Sequence, residues 1–169
     1  MLGAGKGTLA EHLSKKHKFT YYSVRNFFAQ EVLKQGKMVN RASIAEAAAS
    51  IRAEHGAAYA VEQLLAQPSP SKDIAIESIR TKEEAIFLKS KGAVLWAVAA
   101  DQQTRYQRTL QRDASVEQIT FETFAEKEKN EASLVEAMAL ADTTFDNNGT
   151  KEEFFEKVEK ALQASNTGA

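Results

Sequence analysis

The run Gly3-Ala4-Gly5-Lys6-Gly7-Thr8 opens the chain and leads directly into Leu9-Ala10-Glu11-His12-Leu13. It restricts the possible folds more than any other stretch. Small residues in such a run let successive backbone N–H groups turn inward around an anion and approach it closely. The amphipathic residues that follow predict a helix from Lys6 to about His17, whose N-terminus adds unsatisfied N–H groups and the positive end of its dipole. Lys6 then reaches the outer phosphates. A phosphate loop normally runs out of a buried strand, and its general pattern, G-x-x-x-x-G-K-[ST], needs a glycine five positions before the one preceding the lysine. Counting back from Gly5 passes Met1 first. The expectation is a domain lacking its first strand, either because the chain starts at an internal methionine or because it is a shortened relative.

The whole chain, at 169 residues, is long enough for one domain with a sizeable core. The formal net charge of −1 gives no whole-chain attraction to nucleic acid or to an anionic membrane. With no cysteine, disulfides, thiolate metal sites and thiol nucleophiles are excluded. No apolar run is long enough to span a bilayer and no signal-peptide pattern is present, so a cytoplasmic protein is expected.

Phe19-Thr20-Tyr21-Tyr22 is β-prone, and Ser23 caps a helix through Gln35 with Phe27, Phe28, Val32 and Leu33 on its apolar side and Gly36 closing it. Ala42 to Ala66 reads as a helix pair broken near Gly56. After Pro68 and Pro70, Asp73–Ile79 reads as a buried strand, and Thr81-Lys82-Glu83-Glu84 is a capping box for a helix that stops at Gly92. Ala93–Ala99 is near-continuously apolar, as a strand covered on both faces would be. Helices are predicted from Gln102 to about Arg112, from about Val116 to Glu131 and from Leu134 to Leu140. Thr143–Asp146 is a last strand, Asn147-Asn148-Gly149 a turn, and Thr150-x-x-Glu153 the cap of a final helix buried along Phe154, Val158 and Leu162. Strands alternating with helices predict right-handed crossovers and a parallel sheet covered by helices on both faces, with ligands at the carboxyl ends of the strands.

Several motifs together resemble the P-loop nucleoside monophosphate kinases, of the adenylate kinase-like and dephospho-CoA kinase-like kind. Gly5-Lys6-Gly7-Thr8 resembles their loop, and Glu77-Ser78-Ile79-Arg80-Thr81 their strand-end motif Asp-Gly-x-(Pro)-Arg-Thr/Ser. Ala100-Asp101 with Thr104-Arg105-Tyr106-Gln107-Arg108 and Arg112 resembles the strand and arginine-bearing helix before the lid. Ala141-Asp142 with Phe145-Asp146-Asn147-Asn148-Gly149-Thr150 resembles the last strand and turn. The resemblance implies an α/β P-loop kinase fold with its central strand missing, an acceptor-binding helical insert at about 24–66 and a short lid at about 113–131.

It also implies ATP and Mg²⁺ as cofactors and a small nucleotide as acceptor. Gly3, Ala4, Gly5, Lys6, Gly7 and Thr8 would cradle the donor. Arg108 would flank the donor base and Arg112 would reach the transferring phosphate. The physics of phosphoryl transfer, which is mostly positioning and charge neutralisation, asks for the same parts. Glu77 is placed to hold the Mg²⁺ shell through water, and Arg80 to grip the acceptor phosphate with its planar fork. Arg105, Arg25, Arg41 and Arg52 read as surface charge, and Trp96, Phe27 and Phe28 as core.

The chain departs from the family at Ala29, where the second helix would carry an acceptor-binding arginine, and in a lid offering Lys127 and Lys129 instead of arginines. Dephospho-CoA kinases place an Asp after the second strand to serve a hydroxyl acceptor. Ser23-Val24-Arg25-Asn26 has no carboxylate, which favours a phosphate acceptor, although a hydroxyl would still find Glu77 as a base. A phosphotransferase acting on a nucleotide is therefore expected, with dephospho-CoA kinase and a non-catalytic nucleotide-binding module as alternatives.

Overall fold

The computed structural model describes residues 1–112, 120–129 and 131–167. The elements in order are α1 (Lys6–His17), β1 (Thr20–Ser23), α2 (Val24–Lys34), α3 (Arg41–His55), α4 (Tyr59–Leu65), β2 (Ile74–Glu77), α5 (Lys82–Ser90), β3 (Trp96–Ala99), α6 (Gln102–Arg112), α7 (Phe121–Lys129), α8 (Ala132–Met138), β4 (Thr143–Asp146) and α9 (Lys151–Thr167). No helix among the described residues is long and apolar enough to cross a membrane. Contacts divide the chain into two compact units, Met1–Leu9 with Val94–Ala169, and Ala10–Ala93.

In the second unit β1 and β2 pair in parallel, with Ser23 opposite Glu77 at their carboxyl ends. Ser23 leaves the strand in an extended conformation, and its hydroxyl accepts the Asn26 N–H, so one residue ends β1 and caps α2. Val24, Phe28 and Val32 bury one stripe of α2, and Ile44, Ala47 and Ala48 of α3 with Ala60, Val61 and Leu64 of α4 complete that core. Leu33, expected on the apolar side, is instead exposed, because a residue next to Val32 is turned about 100° away from the buried stripe. Thr81 and Glu84 form the expected capping box at the start of α5. β2 is half-buried along its whole length rather than buried. It ends where Ser78 turns left-handed, at φ +67°.

In the first unit β3 and β4 pair in parallel, Trp96 with Thr143 through Ala99 with Asp146. The ladder is shorter than the apolar run because Asp142 ends it: its carboxylate accepts the Leu95 N–H at 2.8 Å while its own N–H goes to the Leu95 carbonyl at 2.8 Å. Val98, Phe145, Phe154 and Val158 form the core, with the Trp96 and Phe154 rings set edge-on to Phe145 at 5.2 and 6.2 Å. Trp96 itself is half-buried, and Leu162 lies at the half-exposed end of the α9 stripe. Thr150 and Glu153 cap α9 reciprocally. Residues 113–119, the start of the expected lid region, lie outside the described residues; of the polar helix expected from about Val116 to Glu131, α7 covers Phe121–Lys129.

Candidate functional site

The Gly3–Thr8 loop is built by holding its carbonyls. Lys6 Nζ donates to the Met1 carbonyl at 2.6 Å, Arg105 Nη1 to the Leu2 carbonyl at 3.5 Å and Asn147 Nδ2 to the Ala4 carbonyl at 2.8 Å. The Gly5 carbonyl accepts the Leu9 N–H as the first bond of α1. In a trans peptide the C=O and the following N–H point in opposite directions, and no peptide here is cis. Each carbonyl fixed on the protein side therefore turns the next N–H, at Gly3 and Gly5 among them, the other way. The first turn of α1 adds the N–H groups of Gly7 and Thr8, which have no carbonyl one turn back to accept them.

The three glycines of this loop are not equivalent. A Cβ on Gly3, whose φ is +73°, would lie 2.3 Å from the Arg105 carbonyl oxygen, and one on Gly5, at φ +106°, would lie 2.3 Å from Asn147 Nδ2. Both are required by backbone conformation and by the protein's own packing. A Cβ on Gly7 would meet nothing within 4 Å. Glycine within a helix costs about 1 kcal/mol relative to alanine, and nothing in the fold explains it at position 7.

Around the loop, Arg108 donates to the Asn147 carbonyl at 2.8 Å and to the Gly149 carbonyl at 3.5 Å, tying α6 to the turn after β4. Asn147 is 7% exposed, and its neighbour Asn148 accepts the Asp101 N–H at 2.8 Å. Arg105, expected on the surface, is 5% exposed. It forms a two-pronged ion pair with Glu128 of α7, through Nη1 to Oε1 and Nη2 to Oε2 at 2.8 Å. Burial alone would raise the Glu128 carboxyl, but hydrogen bonds from Arg105 and Gln102 and the Arg105 charge outweigh it and hold the group below the usual carboxylate range. Arg112 is the last residue of α6, and its side chain lies outside the described residues.

The second group of candidates sits at the end of β2. Glu77 accepts hydroxyl hydrogen bonds on both oxygens, from Ser23 and from Tyr21 (3.2 Å) on Oε1 and from Ser78 (2.7 Å) on Oε2. Partial burial, then the Glu77 charge and hydrogen bond, push the Tyr21 phenol up to about 12. Ser78 occupies the left-handed position where the resembled motif carries glycine. Arg80 is exposed, and its N–H and that of Thr81 both go to Glu84 Oε2, at 2.7 and 3.1 Å. Glu84 is fully buried, and its other oxygen accepts Arg52 Nη2 at 2.6 Å, with the Arg52 guanidinium 4.9 Å over the Phe28 ring. Arg52 is thus a structural partner of the Arg80 turn rather than surface charge, whereas Arg25 and Arg41 are exposed as expected.

The structure brings the loop together with Arg108, and Glu77 together with the start of the Arg80 turn. Reading the sequence missed Asn147, Arg105 and Glu128. The paired asparagines before Gly149 were the available signal for the first, and nothing local marks the other two.

The comparisons agree with this architecture. A solved structure titled TT1252 from Thermus thermophilus superposes with a TM-score of 0.64 at 19% identity, over 97% of this chain and 93% of that one. A shikimate kinase from Acinetobacter baumannii, in complex with shikimate, gives 0.61 at 15%, over 99% and 89%. The fold is that of the P-loop kinases. In sequence the chain is 28% identical to a UPF0200 protein of Methanococcus maripaludis, over 96% of this chain and 92% of that protein. It is 29% identical to a UPF0200 protein of Methanocaldococcus jannaschii, over 96% and 86%. The sequence model of a family described as "AAA domain" matches residues 1–136, most of the chain, and the chain belongs to that family.

Proposed function

We propose that the chain binds Mg-ATP at Gly3–Thr8 and transfers the terminal phosphoryl group to a nucleotide or nucleoside monophosphate. The observation that carries this reading is the loop itself: its carbonyls are held by protein donors, and Gly7 leaves open space where the fold asks for no glycine. An anion on the N–H side accounts for both features. In the transfer, an acceptor oxygen bonds to the terminal phosphorus as the bridging P–O bond breaks and the diphosphate leaves. Lys6 and the loop N–H groups neutralise the donor oxygens, Arg112 the moving phosphoryl group, and Arg80 grips the acceptor phosphate. Arg108, fixed against the turn after β4, offers its planar face to the donor base.

Mg²⁺ fits the donors at the end of β2: Glu77 with the Ser23 and Ser78 hydroxyls are hard oxygen donors with no thiolate among them. When bound, the ion would neutralise charge on the phosphate oxygens. A hydroxyl acceptor, as in dephospho-CoA kinase, would need Glu77 as its base. Both Glu77 oxygens already accept hydroxyl protons, which favours an acceptor that is already anionic.

The test is thermal unfolding with and without Mg-ATP, then a panel of nucleoside monophosphates and dephospho-CoA. A ligand that binds only the native state raises the melting temperature. Turnover on a monophosphate supports the reading. A shift without turnover on any acceptor leaves a nucleotide-binding module, and no shift at millimolar Mg-ATP rejects the loop's role.

A further inference from the structure

The Arg105–Glu128 pair is costly for a fold to keep. Removing two charges from water commonly takes back what their attraction returns, and two apolar side chains would pack α7 on α6 as well. Packing is already supplied by Tyr106 against Phe121 and Phe124, each at 5.5 Å between ring centres. What a guanidinium does that an apolar group cannot is hold several carbonyls in fixed directions. Arg105 Nε donates to the Ala100 carbonyl at 2.8 Å, just beyond the end of β3, and Nη1 reaches the Leu2 carbonyl. Its own carbonyl accepts the Thr109 hydroxyl at 2.8 Å and forms the surface against which Gly3 is packed without a Cβ. One residue therefore sets both the Leu2–Gly3 peptide plane and the space Gly3 occupies. The guanidinium in turn is oriented by Glu128, whose Oε2 also accepts Gln102 Nε2 at 3.0 Å.

We propose that Glu128, on α7, is a positioning residue of the phosphate loop: it aims Arg105 at the Leu2 carbonyl, and so couples the docking of α7 to nucleotide affinity. The inference rests on the nucleotide-binding reading of the loop. Coupling between two sites is reciprocal, so whatever affinity is lost when α7 is loosened must reappear as tightening of α7 when nucleotide binds.

The experiment uses the full chain with Glu128→Gln, which keeps shape and removes charge, and Arg105→Lys, which keeps charge but lacks the fork. Val158→Ala, which hollows the buried stripe of α9, serves as a control for lost stability. Two readouts are taken at a temperature where all variants are folded. The first is the amide resonance and hydrogen exchange of Gly3 in the free protein. The second is the dissociation constant of a fluorescent ATP analogue with Mg²⁺, together with exchange of the α7 amides with and without it. Both loop variants should shift the Gly3 amide and speed its exchange, and weaken the analogue by about tenfold, with a matching slowing of α7 exchange in the wild type on binding. Val158→Ala should lower the melting temperature and leave Gly3 and affinity unchanged. A Gly3 amide unmoved in Glu128→Gln, or an affinity that falls equally in Val158→Ala, overturns the inference and leaves the pair a packing device. If the wild type binds no analogue while Gly3 still moves, the loop is positioned as inferred and it is the nucleotide reading that fails.

Discussion

The loop at Gly3–Thr8 and the turn at Glu77–Thr81 are both tight backbone segments with left-handed residues, yet they are held by opposite chemistry. In the loop, donors from Lys6, Arg105 and Asn147 take the carbonyls, which turns the following N–H groups the other way. In the turn, the acceptor Glu84 takes the N–H groups of Arg80 and Thr81, and Glu77 takes hydroxyls. With the Arg80 and Thr81 N–H groups already engaged, recognition of an anion at the turn falls to a side chain, and that of Arg80 is exposed. On the proposed function, the contrast pairs backbone recognition with the donor side and side-chain recognition with the acceptor side. A nucleotide's outer phosphates are common to many substrates and suit the first. An acceptor that differs between enzymes suits the second, because a side chain changes without rebuilding a turn.

The largest expected effect breaks the turn. Glu84→Ala leaves the Arg52 charge and two N–H groups without their buried acceptor, and should cost about 3 kcal/mol by denaturant unfolding. Acceptor-dependent activity should fall with it, while Mg-ATP affinity, measured well below the melting temperature, stays near the wild-type value. A parallel loss of ATP affinity would mean that the two regions do not divide the work.

Breaking the loop should be nearly as severe. Gly3→Ala forces a Cβ to within 2.3 Å of a backbone oxygen in a left-handed conformation. The strain should cost roughly 2 kcal/mol and abolish the Mg-ATP melting shift. Gly7→Ala, which meets nothing in the protein, should leave stability equal or slightly higher and reduce only the nucleotide shift. An alanine at position 7 that binds Mg-ATP normally would remove the main support for an anion there.

What could be read from the sequence follows the range of the forces involved. The caps at Ser23, Thr81 and Thr150 are local hydrogen bonds over three residues, and each stands where the sequence puts it. The strand ends are less legible because partners end them: Asp142 stops β3 at Leu95 from 47 residues away. Arg105 was misread for the same reason. α6 is polar almost throughout, so an arginine in it looks solvated, and its burial is decided by Glu128, 23 residues on. Asn147 reads as a turn residue, and only the fold shows its amide on the Ala4 carbonyl, 143 residues back. The Gly3–Thr8 loop is legible as a motif because it is continuous in sequence, whereas the groups that orient it are not.

A smaller effect sharpens the comparison at Ser78. The loop uses glycine for its left-handed positions, whereas the turn uses a serine at φ +67° whose hydroxyl bonds Glu77. Ser78→Ala and Ser78→Gly both lose that bond, but only glycine relieves the strain. The glycine variant should therefore be more stable than the alanine variant by about 1 kcal/mol in chemical denaturation. If the two are equally stable, the backbone there is not strained and the turn needs no special residue.

The smallest effect concerns protons at the same carboxylate. The folded Tyr21 phenol titrates at about 12 against an ordinary 10.0, so the folded state holds its proton longer than the unfolded chain does. The stabilisation this represents is fully present below pH 10, and is lost as pH rises through about 12. An ultraviolet titration of tyrosinate should show one component displaced to that range, absent in Tyr21→Phe. In Glu77→Gln the charge is removed and the component should move back toward the ordinary value, short of it by the contribution of burial. Should the Glu77→Gln titration match the wild type, the phenol is held by burial alone. Glu77 would then lose its hold on Tyr21, and the strand end would keep only its serine hydroxyls to orient the carboxylate.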